Sequence, residues 1–158
     1  MKPTVYIETT VPSYYHTTRT SLHSDVVRTR GWWDVERSAY ECFTSQITLD
    51  ELSEGNYPSK AKCLRLISEI PLLEVNDEIL EIAEVYWEHK LMPKLPVRDA
   101  LHLAVASFYQ MEFVLTWNCL HLANVNKMRH LLRVNQLLNL PSPQLVTPAQ
   151  LQLPEADL

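Results

Sequence analysis

Short apolar runs alternate along the chain with longer stretches in which apolar residues recur at helical spacing. The runs predict strands at 4–8, 42–47, 72–75, 112–116 and 144–146, each bounded by polar or turn-forming residues. Between them, Asp25–Tyr40 reads as helical, and Thr48–Gly55 reads as a short helix with Thr48 at the N-cap and Glu51 at the reciprocal capping-box position. Pro58 opens a helix to about Glu69, with proline in its favoured first turn. Ile79, Ile82, Ala83 and Tyr86 mark one face of an amphipathic helix over Asp77–His89. The segment 91–96, with its two prolines, breaks it. A far more apolar helix follows from Val97 to about Tyr109, and another spans His121–Asn139. The segment from Ala149 to Pro154 reads as a short closing element that frays. Strands alternating with helices are the pattern of an α/β protein with a parallel sheet.

Composition adds bounds. At 158 residues the chain suits a single domain over 1–158, able to bury roughly 70% of its unfolded surface. With 46% apolar and 21% charged residues it belongs with ordinary globular proteins rather than disordered ones. Cys42, Cys63 and Cys119 form no Cys-x-x-Cys pair, and an odd number leaves one thiol unpaired, which suggests a reducing, cytoplasmic setting. No apolar stretch is long enough to span a bilayer and no leader is evident, so neither secretion nor a membrane role is expected.

The net charge of -5 is unevenly spread, because residues 41–90 hold eleven acids against four Lys/Arg. A globally basic footprint is missing, so any nucleic-acid contact has to be local or metal-assisted. With Gly31 and Gly55 as the only glycines, neither a dinucleotide fingerprint nor a Walker loop is present, and no Gly-x-Ser-x-Gly elbow or structural zinc spacing occurs.

Four polar positions stand at element ends. Glu8 closes the run Thr4–Ile7; it either points into water or, at the carboxyl end of a buried strand, takes a partner or a metal. Asp99 heads the apolar segment Ala100–Ala106, where it serves as an N-terminal cap or is aimed along the strand ends. Glu51 is explained by its capping box or joins the same cluster, with Asp50 and Glu54 in reserve. Asn118 follows the strand Phe113–Leu115 in Thr116-Trp117-Asn118, where turn chemistry competes with a site role.

In order and spacing, Val-Tyr-Ile-Glu-Thr-Thr-Val-Pro-Ser-Tyr-Tyr, Ile-Thr-Leu-Asp-Glu-Leu, Arg-Asp-Ala-Leu-His-Leu-Ala and Val-Leu-Thr-Trp-Asn-Cys resemble the PIN domain family over nearly the whole chain, up to Leu145-Val146-Thr147-Pro148. The resemblance implies a three-layer α/β/α sandwich with a central, mostly parallel sheet and an acidic pocket. It also implies a metal-dependent ribonuclease, of the kind found as the toxin of toxin-antitoxin pairs. The family's first-strand aspartate falls on Glu8, its mid-chain glutamate on Glu51, its late-helix aspartate on Asp99, and Asn118 lies where many members carry a further acid. Glu8 is one methylene longer than the usual aspartate and Asn118 is neutral, two departures from the commonest pattern.

The expected catalytic set is Glu8, Glu51, Asp99 and Asn118, with Glu8, Glu51 and Asp99 as ligands of Mg²⁺ or Mn²⁺, hard ions suited to oxygen donors. Thr9, Thr10 and Thr116 would support these ligands by hydrogen bonding, and His102 is expected to be a histidine satisfied within the packing. Candidate backbone-tracking cations are Arg98 and Lys127, then Lys94, Arg129 and Arg133, though charge on a helix is usually its solvated face. Trp32-Trp33 and Tyr14-Tyr15 would stack on bases or serve the core. RNA is the expected substrate; an antitoxin protein, docking between Tyr14 and Trp33, and a second copy in a homodimer are the expected partners. A PIN-fold binding or assembly module of weak activity is the alternative.

Overall fold

The computed structural model describes residues 1–93 and 97–153. Five strands, β1 (Thr4–Ile7), β2 (Glu41–Ser45), β3 (Leu72–Leu73), β4 (Phe113–Leu115) and β5 (Gln144–Val146), form one sheet in the order β3-β2-β1-β4-β5. Every neighbouring pair is parallel, with Val5 opposite both Cys42 and Phe113. All five expected strands are present, within a few residues at each end.

Seven α-helices among the described residues connect the strands: α1 (Thr10–His16), α2 (His23–Asp34), α3 (Gln46–Ser53), α4 (Lys60–Ile67), α5 (Asp77–Glu88), α6 (Val97–Phe108) and α7 (Val125–Leu137). The strand pleat decides which face each residue serves. Val5, Ile7 and Leu115 turn toward a core shared with Trp32, Trp33, Cys63 and Ile67. Tyr6, Val114 and Leu145 turn the other way, toward Ile79, Tyr86, Leu103 and Leu131. One face thus packs on α1, α2 and α4 and the other on α5, α6 and α7, giving the expected three-layer α/β/α sandwich. No helix among the described residues is long and apolar enough to cross a membrane.

Several local expectations are corrected. Thr10–His16 is a helix that the pattern did not reveal, because Pro12 interrupts its apolar spacing while sitting in the first turn, where no backbone donor is lost. Helix α3 begins at Gln46 after Ser45, so Thr48 is an interior, fully buried residue and no capping box forms. Helix α2 stops at Asp34, and a 3₁₀ turn, Glu36–Ala39, completes the expected Asp25–Tyr40 span. Helix α4 starts at Lys60 rather than Pro58, and α7 at Val125, capped by the Asn124 side chain, which accepts from Lys127 N at 2.9 Å. Trp32 and Trp33 are core residues, so neither is available to stack on a base. Leu151 is buried as well, which anchors the segment expected to fray. Of the expectations at 91–96 and in the tail, Lys94, Leu95, Pro96 and everything from Pro154 lie outside the described residues.

A closed polar triangle ties α5, α6 and α7 together. The buried Tyr86 hydroxyl donates to Asn135 Oδ1 (2.7 Å), Asn135 Nδ2 donates to Ser107 Oγ (3.0 Å), and Ser107 Oγ closes the ring on Tyr86 (3.0 Å). Burial pushes the phenol up to about 12, so the hydroxyl keeps its proton to donate. Complete satisfaction lets these groups sit in the core without a desolvation penalty, and it sets the seat of α6.

Candidate functional site

The strand order reverses direction at β1, since β2 and β3 build out on one side and β4 and β5 on the other. In open parallel sheets that reversal parts the loops at the carboxyl ends of the strands and leaves a crevice. Glu8 follows β1 and Thr116 follows β4, so both stand at this crevice. The two strand ends are joined by Glu8 N donating to Leu115 O at 3.1 Å and by Thr116 Oγ1 donating to Glu8 Oε1 at 2.9 Å.

Glu8 is only 3% exposed, which excludes the reading in which it points into water. Its Oε1 accepts three hydrogen bonds, from Thr116 Oγ1 and from both the amide (2.8 Å) and the hydroxyl (2.5 Å) of Thr10. Thr10 Oγ1 in turn accepts from Trp117 N at 2.8 Å, so the β4 loop and the start of α1 both grip the same carboxyl. Burial pushes Glu8 above its ordinary range, opposed by the charge of His102 and by the bonds from Thr10 and Thr116.

Helix α3 brings Glu51 in from beside β2. Its Oε1 accepts from Thr9 Oγ1 at 2.7 Å and contacts His102 Nε2. Burial raises the Glu51 carboxyl, but the His102 contact and Thr9 outweigh it and hold the group below its ordinary range. Of the three carboxyls, Glu51 is the one whose surroundings favour the ionised form. Asp99, 7% exposed in the first turn of α6, is raised by burial and by the charge of Glu51, while His102, His121 and the Asn118 amide act in the opposite direction.

Asn118 closes the crevice from the β4 side. Its Oδ1 accepts from His121 N at 3.0 Å, a turn bond, and its own amide donates to Thr116 Oγ1 at 2.9 Å. Turn chemistry and a place beside Asp99 thus coexist in one residue. Of the expected supporting groups, Thr9 serves Glu51, and Thr10 and Thr116 serve Glu8.

His102 is what the linear reading left out of the site. It is buried, as expected of a core histidine, yet its Nε2 faces Glu51 and lies 3.5 Å from Thr9 Oγ1. Nδ1 lies 2.6 Å from the hydroxyl of Tyr6, which is 2.8 Å from Ser45 Oγ. An ionised Glu51 can only accept, so Nε2 carries a hydrogen toward it, while Tyr6 bonds the other ring nitrogen. The result is a buried relay, Ser45 to Tyr6 to His102 to Glu51. Its sequence signal was the three-residue step from Asp99 to His102, which puts both on adjacent faces of α6.

Two expected nucleic-acid contacts are already engaged. Arg98 Nη1 pairs with Glu54 Oε1 at 2.5 Å, and Lys127 Nζ donates to the carbonyl of Leu91. Desolvation lowers the Lys127 amine, with Asp99 opposing. Asp50 accepts from Gln46 Nε2 at 2.9 Å, so both reserve acids sit in surface pairs.

Three carboxyls with oxygen donors suit a hard divalent cation in kind. Among the described residues, neither Glu8 Oε2 nor Glu51 Oε2 accepts a hydrogen bond, so each carboxyl keeps a donor atom in reserve. In place, no three His, Cys, Asp or Glu among the described residues are gathered closely enough to hold an ion together. No family model matches the chain, and no curated protein matches it.

Proposed function

We propose that the chain is a metal-dependent ribonuclease of the PIN type, hydrolysing RNA phosphodiester bonds at the crevice of Glu8, Glu51, Asp99 and Asn118. One observation supports this reading: buried or half-buried carboxyls from the end of β1, from α3 and from α6 face one crevice at the switch point of a parallel sheet. The ordered motifs that resemble the PIN family run through those same residues.

Glu8, Glu51 and Asp99 would hold Mg²⁺ or Mn²⁺, which supplies an activated water and neutralises phosphate charge when bound. The chain's own contribution is orientation. Thr10 and Thr116 hold Glu8, Thr9 and His102 hold Glu51, and Asn118 stands beside Asp99 as a neutral donor. A cytoplasmic toxin restrained by an antitoxin is the setting we propose, and a small adjacent gene for a DNA-binding partner would support it.

Cleavage of an RNA panel in Mn²⁺ by wild type and Asp99→Asn, prepared in parallel, tests the proposal. Cleavage by wild type alone is expected. Equal cleavage by both would point to a contaminating nuclease and remove the support for this site.

The second reading is a binding or assembly module of weak activity. It is favoured by the commitment of Glu51 Oε1 to His102 and by the lack of a gathered ligand set among the described residues. Calorimetry separates the two: Mn²⁺ heat that is present in wild type and lost in Asp99→Asn supports the nuclease, and no heat from either supports the module.

A further inference from the structure

Helix α1 leaves the crevice at Thr10, whose hydroxyl and amide bind Glu8, and ends at His16. Around that far end lie exposed cations from three segments: Arg19 after α1, Arg30 on α2, and Lys62 and Arg65 on α4. Three adjoining grooves link them. One of about 350 Å³ carries Tyr14, His16 and Arg19; a second of about 360 Å³ carries His16, Lys62 and Arg65; a third of about 470 Å³ carries Arg19, His23 and Arg30.

These cations are not spent in ion pairs. Among the described residues, none of the four enters an ion pair, whereas Arg28, Arg37 and Arg98 each do. Of the nearby acids, Glu69 pairs with Arg37 at 3.2 Å and Asp34 accepts from the Tyr15 hydroxyl at 2.9 Å, while Asp25 lies near Tyr14 and pairs with none of the four cations. Arg30 Nε donates to Tyr15 O at 2.8 Å, which fixes its stem at the end of α1. Burial, together with Lys62, Arg30 and Arg65, lowers the His16 imidazole, as expected where several positive charges converge without compensation.

We propose that Arg19, Arg30, Lys62 and Arg65 form a phosphate track for single-stranded RNA, leading along α1 to the crevice at Glu8. In a protein of net charge -5, four cations left unpaired on one side are the local basic footprint that a polyanion requires. A single strand fits better than a duplex because a half-buried aromatic pair flanks the route. Tyr14 and Trp117 stack at 5.5 Å between centroids and 10° between planes, and Trp117 N bonds Thr10 beside Glu8. Such aromatic surfaces accept unstacked bases. The identity of the occupant as RNA rests on the nuclease reading; the charge geometry does not.

The test is fluorescence anisotropy of a labelled single-stranded RNA in EDTA across a salt series. Four phosphate contacts predict a log–log slope of about −2.8, and removing two should flatten it by about 1.4. Lys62→Gln with Arg65→Gln is expected to do so, while Arg129→Gln with Arg133→Gln on α7 leaves the slope unchanged; all four residues are exposed, so folding is not at stake. An unchanged slope in the α4 pair, a slope carried by the α7 pair, or no binding by wild type overturns the track. Displacement by polyglutamate as effective as by RNA, charge for charge, also overturns it, in favour of an acidic protein segment. Cleavage with an unaffected slope would sink the track and spare the nuclease. The predicted slopes without cleavage in Mg²⁺ or Mn²⁺ would do the reverse.

Discussion

The hydroxyl of Tyr6 lies 2.6 Å from Nδ1 of His102, so a strand residue that turns toward the α6 layer controls which ring nitrogen can face Glu51. Tyr6 is fully buried, and burial raises its phenol well beyond the ordinary range, so it remains a proton donor. Tyr6→Phe keeps the ring but leaves His102 Nδ1 and Ser45 Oγ without that partner. A loss of about 1–3 kcal/mol in stability is expected, read from urea midpoints at unchanged m-value. A neutral result would mean that the relay does not order this site.

The buried carboxyls make opposing demands on pH. Glu8 and Asp99 have folded-state pKa values raised from 4.5 and 3.8, so the folded chain holds their protons more tightly than the unfolded one. Their contribution is full below those ordinary values and is lost as pH rises through the raised ones. Glu51 is lowered from 4.5, so its contribution is present above that value and is lost as pH falls. Glu8→Gln retains an acceptor for Thr10 and Thr116 but carries no charge. Its melting temperature relative to wild type should therefore climb as pH rises above about 4.5. A difference that stays flat over this range would refute the assignment of a costly buried charge.

Binding of a cation should reverse that cost. If Glu8, Glu51 and Asp99 take up Mn²⁺, wild type should gain about 2.7 kcal/mol at a hundredfold excess over Kd. Asp99→Asn should gain much less. Equal stabilisation of both proteins, followed by thermal melts, would place the ion elsewhere.

The Tyr86–Asn135–Ser107 triangle predicts strong coupling. Asn135→Ala strands two buried partners and should cost about 2 kcal/mol or more, while Tyr86→Phe with Asn135→Ala should cost less than the sum by at least about 0.5 kcal/mol. Strict additivity in a double-mutant cycle would show that the ring is not a unit.

Legibility followed locality. Hydrophobic pattern and strand-helix alternation determined the α/β class, all five strands and most helices, because these depend on residues close in sequence. Helix α1 escaped because Pro12 masks its period, and the Thr48 capping box failed because a continuous turn from β2 into α3 was available at Ser45. Glu8, Glu51 and Asp99 were visible as residues at element ends. Only the tertiary structure decided that Glu8 and Asp99 are buried, that Glu51 meets His102, that Arg98 pairs with Glu54 and Lys127 bonds the Leu91 carbonyl, and that Arg19, Arg30, Lys62 and Arg65 enter no ion pair among the described residues. The physical reason is that burial, pKa and pairing depend on which distant segments meet. Here the parallel strand order brings the ends of β1 and β4 together, and helix packing brings α3 and α6 to them.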